Sequence, residues 1–332
     1  MRALLEQGET VRGLVLPGDH TGALAGLGVE LVEGDVCDGA ALDALLAEAE
    51  SRDVYLIHTA GIISISTRHP ERIREVNVDG TRNVIAKCQQ HAVRRLVYIS
   101  SVHAIPERAD RAITEVDAFT ADSVRGLYAK TKAEASQLVL DAARDGLDAI
   151  ILHPSGILGP GDYGRGHGTQ LMIDYLNGSL LAGVQGGYDF VDVRDVAAGV
   201  VAAAQAGERG QCYILSNRYI SVRELFDLIS EFSHVRNVKL TLPLWLAKAF
   251  APFAEVYYRL RRQPPLFTSY SLSAISSHTT FSFAKATAAF GYQPRSLRET
   301  IRDTVQWLCH SGRAKANPLS GPNHPPAGNA ES

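Results

Sequence analysis

The chain has 332 residues, 45% of them hydrophobic and 21% charged, with a formal net charge of −3. That length carries one large domain, or one domain with a second lobe. With no run of Lys and Arg, charge gives no sign of a nucleic-acid partner. Cys37, Cys88, Cys212 and Cys309 lie far apart without a C-x-x-C spacing. This fits a reducing cytoplasm and argues against a disulfide framework or a zinc site, so neither a metal nor nucleic acid is expected.

The opening residues "MRALLEQGETVRGLVLPGD" predict a helix over Arg2 to Gln7, closed at Gly8 by a left-handed cap. The β-branched, apolar run Val11 to Leu16 then reads as a buried strand. A helix feeding a parallel strand is the second half of a strand–helix–strand unit. Its first strand and the loop entering the helix are not in the sequence. Further strands are predicted over Val29–Val32, Val54–His58, Arg95–Ser100 and Asp148–His153. Between them lie helical stretches at Gly39–Glu50, Pro70–His91 and Leu127–Ala143. The alternation predicts an α/β fold, a doubly wound parallel sheet with helices on both faces.

After Pro154 the pattern loosens, so residues 1–154 are read as the dinucleotide-binding domain and 155–310 as a smaller substrate lobe. A last strand of the main sheet is expected near Cys212–Leu215. The tail from Ser311, rich in Pro, Gly, Asn and Ser, is expected to be disordered. The apolar stretch Leu242 to Leu260 carries Lys248, Glu255 and Arg259 and two prolines, which disfavours a spanning helix. It is read as a pocket-lining helix in preference to one lying shallowly on a membrane surface. With no signal peptide at the N-terminus, a cytoplasmic protein is expected.

The strongest chemical signal is "LYAKTKAEA", where Tyr128 and Lys132 are four residues apart and share one helix face. An ammonium near a phenol favours the phenolate, lowering a pKa that starts at ~10. Such a tyrosine can exchange a proton with an alcohol or carbonyl near neutral pH. Upstream, "LVYISSVHA" ends a predicted strand on Ser100 and Ser101, and parallel sheets bind ligands at the carboxyl ends of their strands. "GPGDYG" at 159–164 satisfies G-x-G-x-x-G, but it follows the catalytic pair inside a longer glycine-rich run. It reads as a substrate-side loop, with Arg165 and His167 beside it, and not as a phosphate cradle.

Together these motifs resemble the extended short-chain dehydrogenase/reductase superfamily, which includes nucleotide-sugar epimerases, dihydroflavonol reductases and 3β-hydroxysteroid dehydrogenases. The resemblance runs from Met1 to about Leu308 and includes "VNVDGTRNV" with Asn77 and "FVDVRDVA" at 190–197. It implies a Rossmann-like fold and an NAD or NADP cofactor, the choice between the two staying open. It implies Tyr128 as acid/base, Lys132 holding the nicotinamide ribose, and Ser101 orienting the substrate oxygen, with Ser100 as the alternative serine. "GDV" supplies Asp35 and Val36 for the adenine. "HTAG" supplies Thr59, Ala60 and Gly61 behind the adenine and ribose, and "HPSGILGPGD" sets Pro154 and Ser155 beside the nicotinamide.

The dehydratases' Thr-Asp-Glu is replaced by Ser101-Val102-His103, which disfavours water elimination. The resemblance also implies a homodimer built on the two long helices. In the superfamily a strand and a glycine-rich turn would stand before Met1, and a start assigned too late is the favoured explanation over a degraded copy. The expected activity interconverts a secondary alcohol and a ketone on a small, apolar substrate. A nucleotide-sugar epimerase and an inactive remnant are the competing readings. Arg165 and Arg194 are the candidate diphosphate contacts for the epimerase.

Overall fold

The computed structural model describes all residues except 20, 64–69, 108–110, 165, 181, 234, 248, 250–278 and 316–332. Phe250, Phe253, Tyr257, Tyr258, Arg165 and most of the expected disordered tail therefore lie outside the described residues.

The first helix, α1 (Arg2–Leu5), is followed by Gly8 in the expected left-handed conformation, at φ +81°. The strands β1 (Arg12–Val15), β2 (Glu30–Glu33), β3 (Tyr55–His58), β4 (Arg95–Ile99) and β5 (Ala149–Pro154) come where the apolar runs predict them. The helix α2 (Gly39–Leu45) starts on Asp38, whose carboxylate accepts the Ala40 amide at 2.9 Å, an N-cap bond that satisfies one orphan donor. The long helix of the sequence is two helices, α3 (Pro70–Arg74) and α4 (Gly80–Gln90), joined by a π-helical turn over Glu75–Asp79. A π turn inside a helix marks a place where a side chain is re-aimed, and here that side chain is Asn77. The helix α5 (Leu127–Arg144) delivers Tyr128 and Lys132.

Beyond β5 the chain continues as β6 (Gly156–Leu158), α6 (His167–Leu176), β7 (Gly183–Val184), β8 (Gly187–Asp192), α7 (Val193–Ala206) and β9 (Cys212–Leu215). Then come β10 (Arg218–Ser221), α8 (Val222–Phe232), β11 (Thr241–Leu242), α9 (Ala284–Phe290) and α10 (Leu297–His310).

The expected parallel arrangement is present but interrupted. Among the described residues β3, β4, β5 and β9 form a four-stranded parallel sheet, while β1 and β2 form a separate parallel pair. Along the facing edges of β1 and β3 runs a cavity of about 720 Å³, lined by Met1, Gly13, Leu14, Leu56, Ile57 and Val201 among others. The parallel sheet is thus split between β1 and β3 by a strand-shaped slot, at the place where the sequence reading expects the first strand of the unit to be missing.

The main sheet is covered on one face by a core that includes Leu96, Tyr98, Ala133, Val139 and Ile151. On the other face lies a core of Val97, Ile150, Leu152, Val200 and Tyr213. Alternate residues of β4 and β5 fall to opposite faces, as a strand with period two requires. The later part of the chain has its own core. There β6 pairs in parallel with β8 and β10 runs antiparallel to β8, while Met172, Tyr175, Phe226, Ile229, Ile301 and Val305 fill the space among α6, α8 and α10. No described helix is long and apolar enough to cross a membrane. Trp245 is 70% exposed.

Candidate active site

The carboxyl ends of β3, β4 and β5 bring most of the sequence-identified residues together. β4 ends at Ile99, and Ser100 and Ser101 then diverge. Ser100 Oγ lies 2.7 Å from Ser136 Oγ, buried against α5. Ser101 opens a 3₁₀ turn over Val102–Ala104, and its Oγ accepts the His103 amide at 3.2 Å. The Ser101 carbonyl accepts Nδ1–H of His153 at 2.9 Å. That bond fixes the His153 tautomer and leaves its Nε2 as an acceptor, buried and without a hydrogen-bond partner among the described residues. Burial pushes the His153 ring down to about 4, so it stays neutral.

Lys132 is buried, 4% exposed, one helical turn beyond Tyr128. Its Nζ donates to Ile99 O at 2.8 Å, lies 3.4 Å from the Tyr98 hydroxyl and sits 4.9 Å from the centroid of the Tyr98 ring. These contacts tie the ammonium to the end of β4, while burial brings its pKa down to about 8. The ammonium is still largely charged at neutral pH.

Gly61, just past β3, belongs to the same cluster. A Cβ there would stand 3.3 Å from Asn77 Oδ1 and 3.5 Å from Lys132 Nζ. The loop is held by Asn77, whose Oδ1 accepts the Ile62 amide at 2.7 Å. Its Nδ2 donates to Ile62 O and to Thr131 Oγ1, each at 3.1 Å. The π turn thus aims one asparagine between the loop after β3 and the helix bearing Tyr128. His58 is part of the same support. Thr81 gives its hydroxyl proton to Asn77 O at 2.8 Å, so it accepts from His58 Nε2–H at 3.1 Å.

Asp35 and Val36 lie apart from this cluster, past the end of β2. One Asp35 oxygen accepts the Cys37 amide at 2.9 Å and the other is paired with Arg72. Burial raises the Asp35 carboxyl, but the Cys37 amide and the Arg72 guanidinium outweigh it and hold the group below its usual range. Arg72, which pairs with Asp35 Oδ2, carried no signal in the sequence. The Val36 carbonyl accepts Asn83 Nδ2 at 3.2 Å, tying this corner to α4.

At the end of β5, the Ser155 amide donates to Leu215 O at 3.1 Å. Its Oγ is buried without a hydrogen bond of normal geometry, as is Oδ2 of Asp189 on β8. Burial pushes the Asp189 carboxyl up to about 6, with Ser155 and the Asn217 amide acting the other way.

The "GPGDYG" run forms a loop between β6 and α6, not a strand-to-helix phosphate turn of the main sheet. Asp162 Oδ2 accepts the Gly166 amide at 2.7 Å, and the Arg313 guanidinium lies 4.9 Å from the Tyr163 ring centroid. Arg194, on α7, is engaged with Asp192 and Asp303, each at 2.7 Å.

With this geometry in view, residues 1–216 match the model of the NAD dependent epimerase/dehydratase family. The chain belongs to that family. It is 31% identical over 320 residues to a provisionally named dihydroflavonol 4-reductase of Synechocystis, covering 95% of this chain and 92% of that protein. It is 32% identical over 314 residues to human 3 beta-hydroxysteroid dehydrogenase type 7, covering 84% of this chain and 82% of that protein. The crystal structure of gox2253 superposes with a TM-score of 0.80 at 32% identity, covering 95% of this chain and 94% of that one.

The residues present fit the nicotinamide end of such a cofactor. Gly61 carries no side chain to crowd the Lys132 ammonium and Asn77, and the buried Ser155 hydroxyl makes no hydrogen bond of normal geometry among the described residues. At the pyrophosphate end, no glycine-rich turn enters a helix beside β1 among the described residues.

Proposed function

We propose that the protein is an NAD(P)-dependent oxidoreductase interconverting a secondary alcohol and a ketone on a small apolar substrate. The observation that carries this reading is the buried Lys132 ammonium, anchored at the end of β4 one turn from Tyr128 and packed close to Gly61. Lys132 would hold the ribose of the nicotinamide nucleotide, with Thr59, Ala60 and Gly61 behind it and Pro154 and Ser155 beside the ring. The bound nicotinamide supplies or accepts the hydride.

The protein's part is the proton and the geometry. Tyr128 gives its phenolic proton to the carbonyl oxygen in reduction, or takes the hydroxyl proton in oxidation. The Lys132 charge stabilises the phenolate formed in the first direction and present at the start of the second. Ser101 Oγ already accepts the His103 amide, so its own proton is directed to the substrate oxygen. Ser100, turned onto Ser136, is not placed for that task.

An apolar, ring-bearing substrate is supported by the names of the relatives, a dihydroflavonol reductase and a hydroxysteroid dehydrogenase. A nucleotide-sugar epimerase would need cations for a diphosphate, and Arg194 is committed to two aspartates. The split between β1 and β3 favours a second reading, in which the chain as it stands is not competent to hold the cofactor. We propose that productive binding requires a strand in that slot.

The deciding experiment measures NAD(P)H binding and ketone-dependent NAD(P)H oxidation by this chain and by a version with an apolar, β-branched strand and a glycine-rich turn fused ahead of α1. Turnover by either version supports the oxidoreductase. Nicotinamide fluorescence retained through purification, with no ketone turnover, supports the epimerase. Binding by neither supports the incompetent chain.

A further inference from the structure

The substrate-side lobe reaches the catalytic turn through a contact between Tyr188 and His103. Tyr188 stands on β8, and its hydroxyl lies 2.8 Å from His103 Nε2. Their rings are stacked at 5.7 Å and 21°. The His103 ring meets the Tyr128 ring edge-on at 6.2 Å, and Tyr188 meets Phe190 edge-on at 5.6 Å. Four aromatic rings therefore run from the acid/base phenol into the lobe. Gly156 of β6 makes room for them, since a Cβ there would come within 2.7 Å of Phe190 and 2.8 Å of Tyr188.

The turn from Ser101 to Ala104 is held from two directions. From the main sheet, His153 fixes the Ser101 carbonyl at 2.9 Å. From the lobe, Tyr188 fixes the His103 side chain, and the His103 amide in turn fixes Ser101 Oγ at 3.2 Å. A hydroxyl that accepts a backbone N–H cannot aim its proton at that amide, so the bond narrows the directions open to the Ser101 proton. Ser101 keeps that restriction only while the His103 amide stays put.

We propose that Tyr188 is a positioning residue for Ser101: its hydroxyl, through His103, locks the catalytic turn and sets the direction in which the serine donates. The proposal rests on the role given to Ser101 above. It assigns to β8 a part in catalysis that needs no contact with the reacting atoms. Rotational freedom in an unlocked turn would dilute the productive rotamer, slowing the chemical step while leaving ground-state binding alone.

The test is Tyr188→Phe, which keeps the stacked ring and removes only the hydroxyl, with His103→Gln as the variant that keeps an acceptor within reach of Tyr188. Amide exchange read by NMR at His103 should be about tenfold faster in Tyr188→Phe, the equivalent of one net hydrogen bond, with the Ala133 amide of α5 unchanged. In His103→Gln the amide at position 103 should keep its protection. In turnover, kcat of Tyr188→Phe should fall by about the same tenfold at unchanged KM. Unchanged protection at His103 in Tyr188→Phe overturns the proposal, as does a loss confined to KM. If the wild-type protein reduces no ketone, the oxidoreductase reading falls, and the exchange comparison still decides whether Tyr188 holds the turn.

Discussion

The two halves of the parallel sheet are built from the same kind of sequence and reach different ends. In the half that bears Ser101, Tyr128 and Lys132, every residue of β5 and β9 is buried, and β4 is buried through its centre. In the other half only Gly13 of β1 is buried, and β2 is exposed at all but one position. Both β1 and β2 are four-residue strands with parallel pairing as regular as that of β3 and β4. What differs is the neighbour. A parallel strand is stabilised by a ladder on each edge and a helix on each face, and β1 has a cavity where its second ladder would be. Local propensity makes the strand; the missing edge leaves it at the surface.

The largest effect that sharpens this contrast is chemical. If the catalytic half is preformed, Tyr128→Phe should lower kcat by about 10²–10⁴-fold with little change in NAD(P)H affinity. Steady-state kinetics with direct binding titration checks it, and an equal loss of cofactor affinity would place Tyr128 in binding instead. Amide exchange should separate the halves next. Amides of β1 and β2 should open locally and exchange at least about 10²-fold faster than those of β4 and β5, which open only with the whole molecule. Equal protection would mean that the slot does not weaken the fold.

Filling the slot comes third. An apolar, β-branched segment with a glycine-rich turn, fused so that it leads into α1, should pair with β1 and β3. A gain of about 2 kcal/mol corresponds to roughly 4–8 °C in Tm for a domain of this class. Calorimetry reads the shift, and an unchanged Tm would show that the two edges do not accept a strand.

Acid should act on the catalytic half. Burial holds His58 down to about 3, with Lys132 adding to the effect, and holds His103 and His153 down to about 4. The unfolded chain therefore binds more protons than the folded one between about pH 4 and 6.5, and stability falls as pH drops through that window. Asp189, raised by burial to about 6, acts with the opposite sign over part of the range. The net expectation is a loss of about 2 kcal/mol per pH unit near pH 5, read from urea titrations at stepped pH. A flat profile would break the assignment of three neutral buried rings. The smallest effect belongs to the exposed Arg74–Glu134 pair bridging α3 and α5. Arg74→Ala should cost no more than about 1 kcal/mol, measured by the same titrations.

Much of the site was legible in the sequence because it rests on spacing along single elements. Tyr128 and Lys132 share a face because four residues make about one helical turn, and Ser101 follows a strand whose apolar run ends two residues earlier. Which serine faces the site was not legible. Adjacent side chains diverge, and it is tertiary packing that turns Ser100 onto Ser136. Arg72 was missed for a related reason: its partner Asp35 is 37 positions away, and no local pattern marks the pair. Tyr188 was missed because its strand belongs to another lobe, 85 positions from His103.

By itself, then, the sequence determined the order of strands and helices, the family motifs and the one-turn spacing of Tyr128 and Lys132, since periodicity and caps act over one or two turns. The tertiary structure alone decided that Arg72 takes the Asp35 carboxylate and that a tyrosine of the second lobe reaches the turn after β4. Each of these depends on which groups distant in the chain become neighbours when apolar faces are buried, and that is settled by packing and not by local conformation.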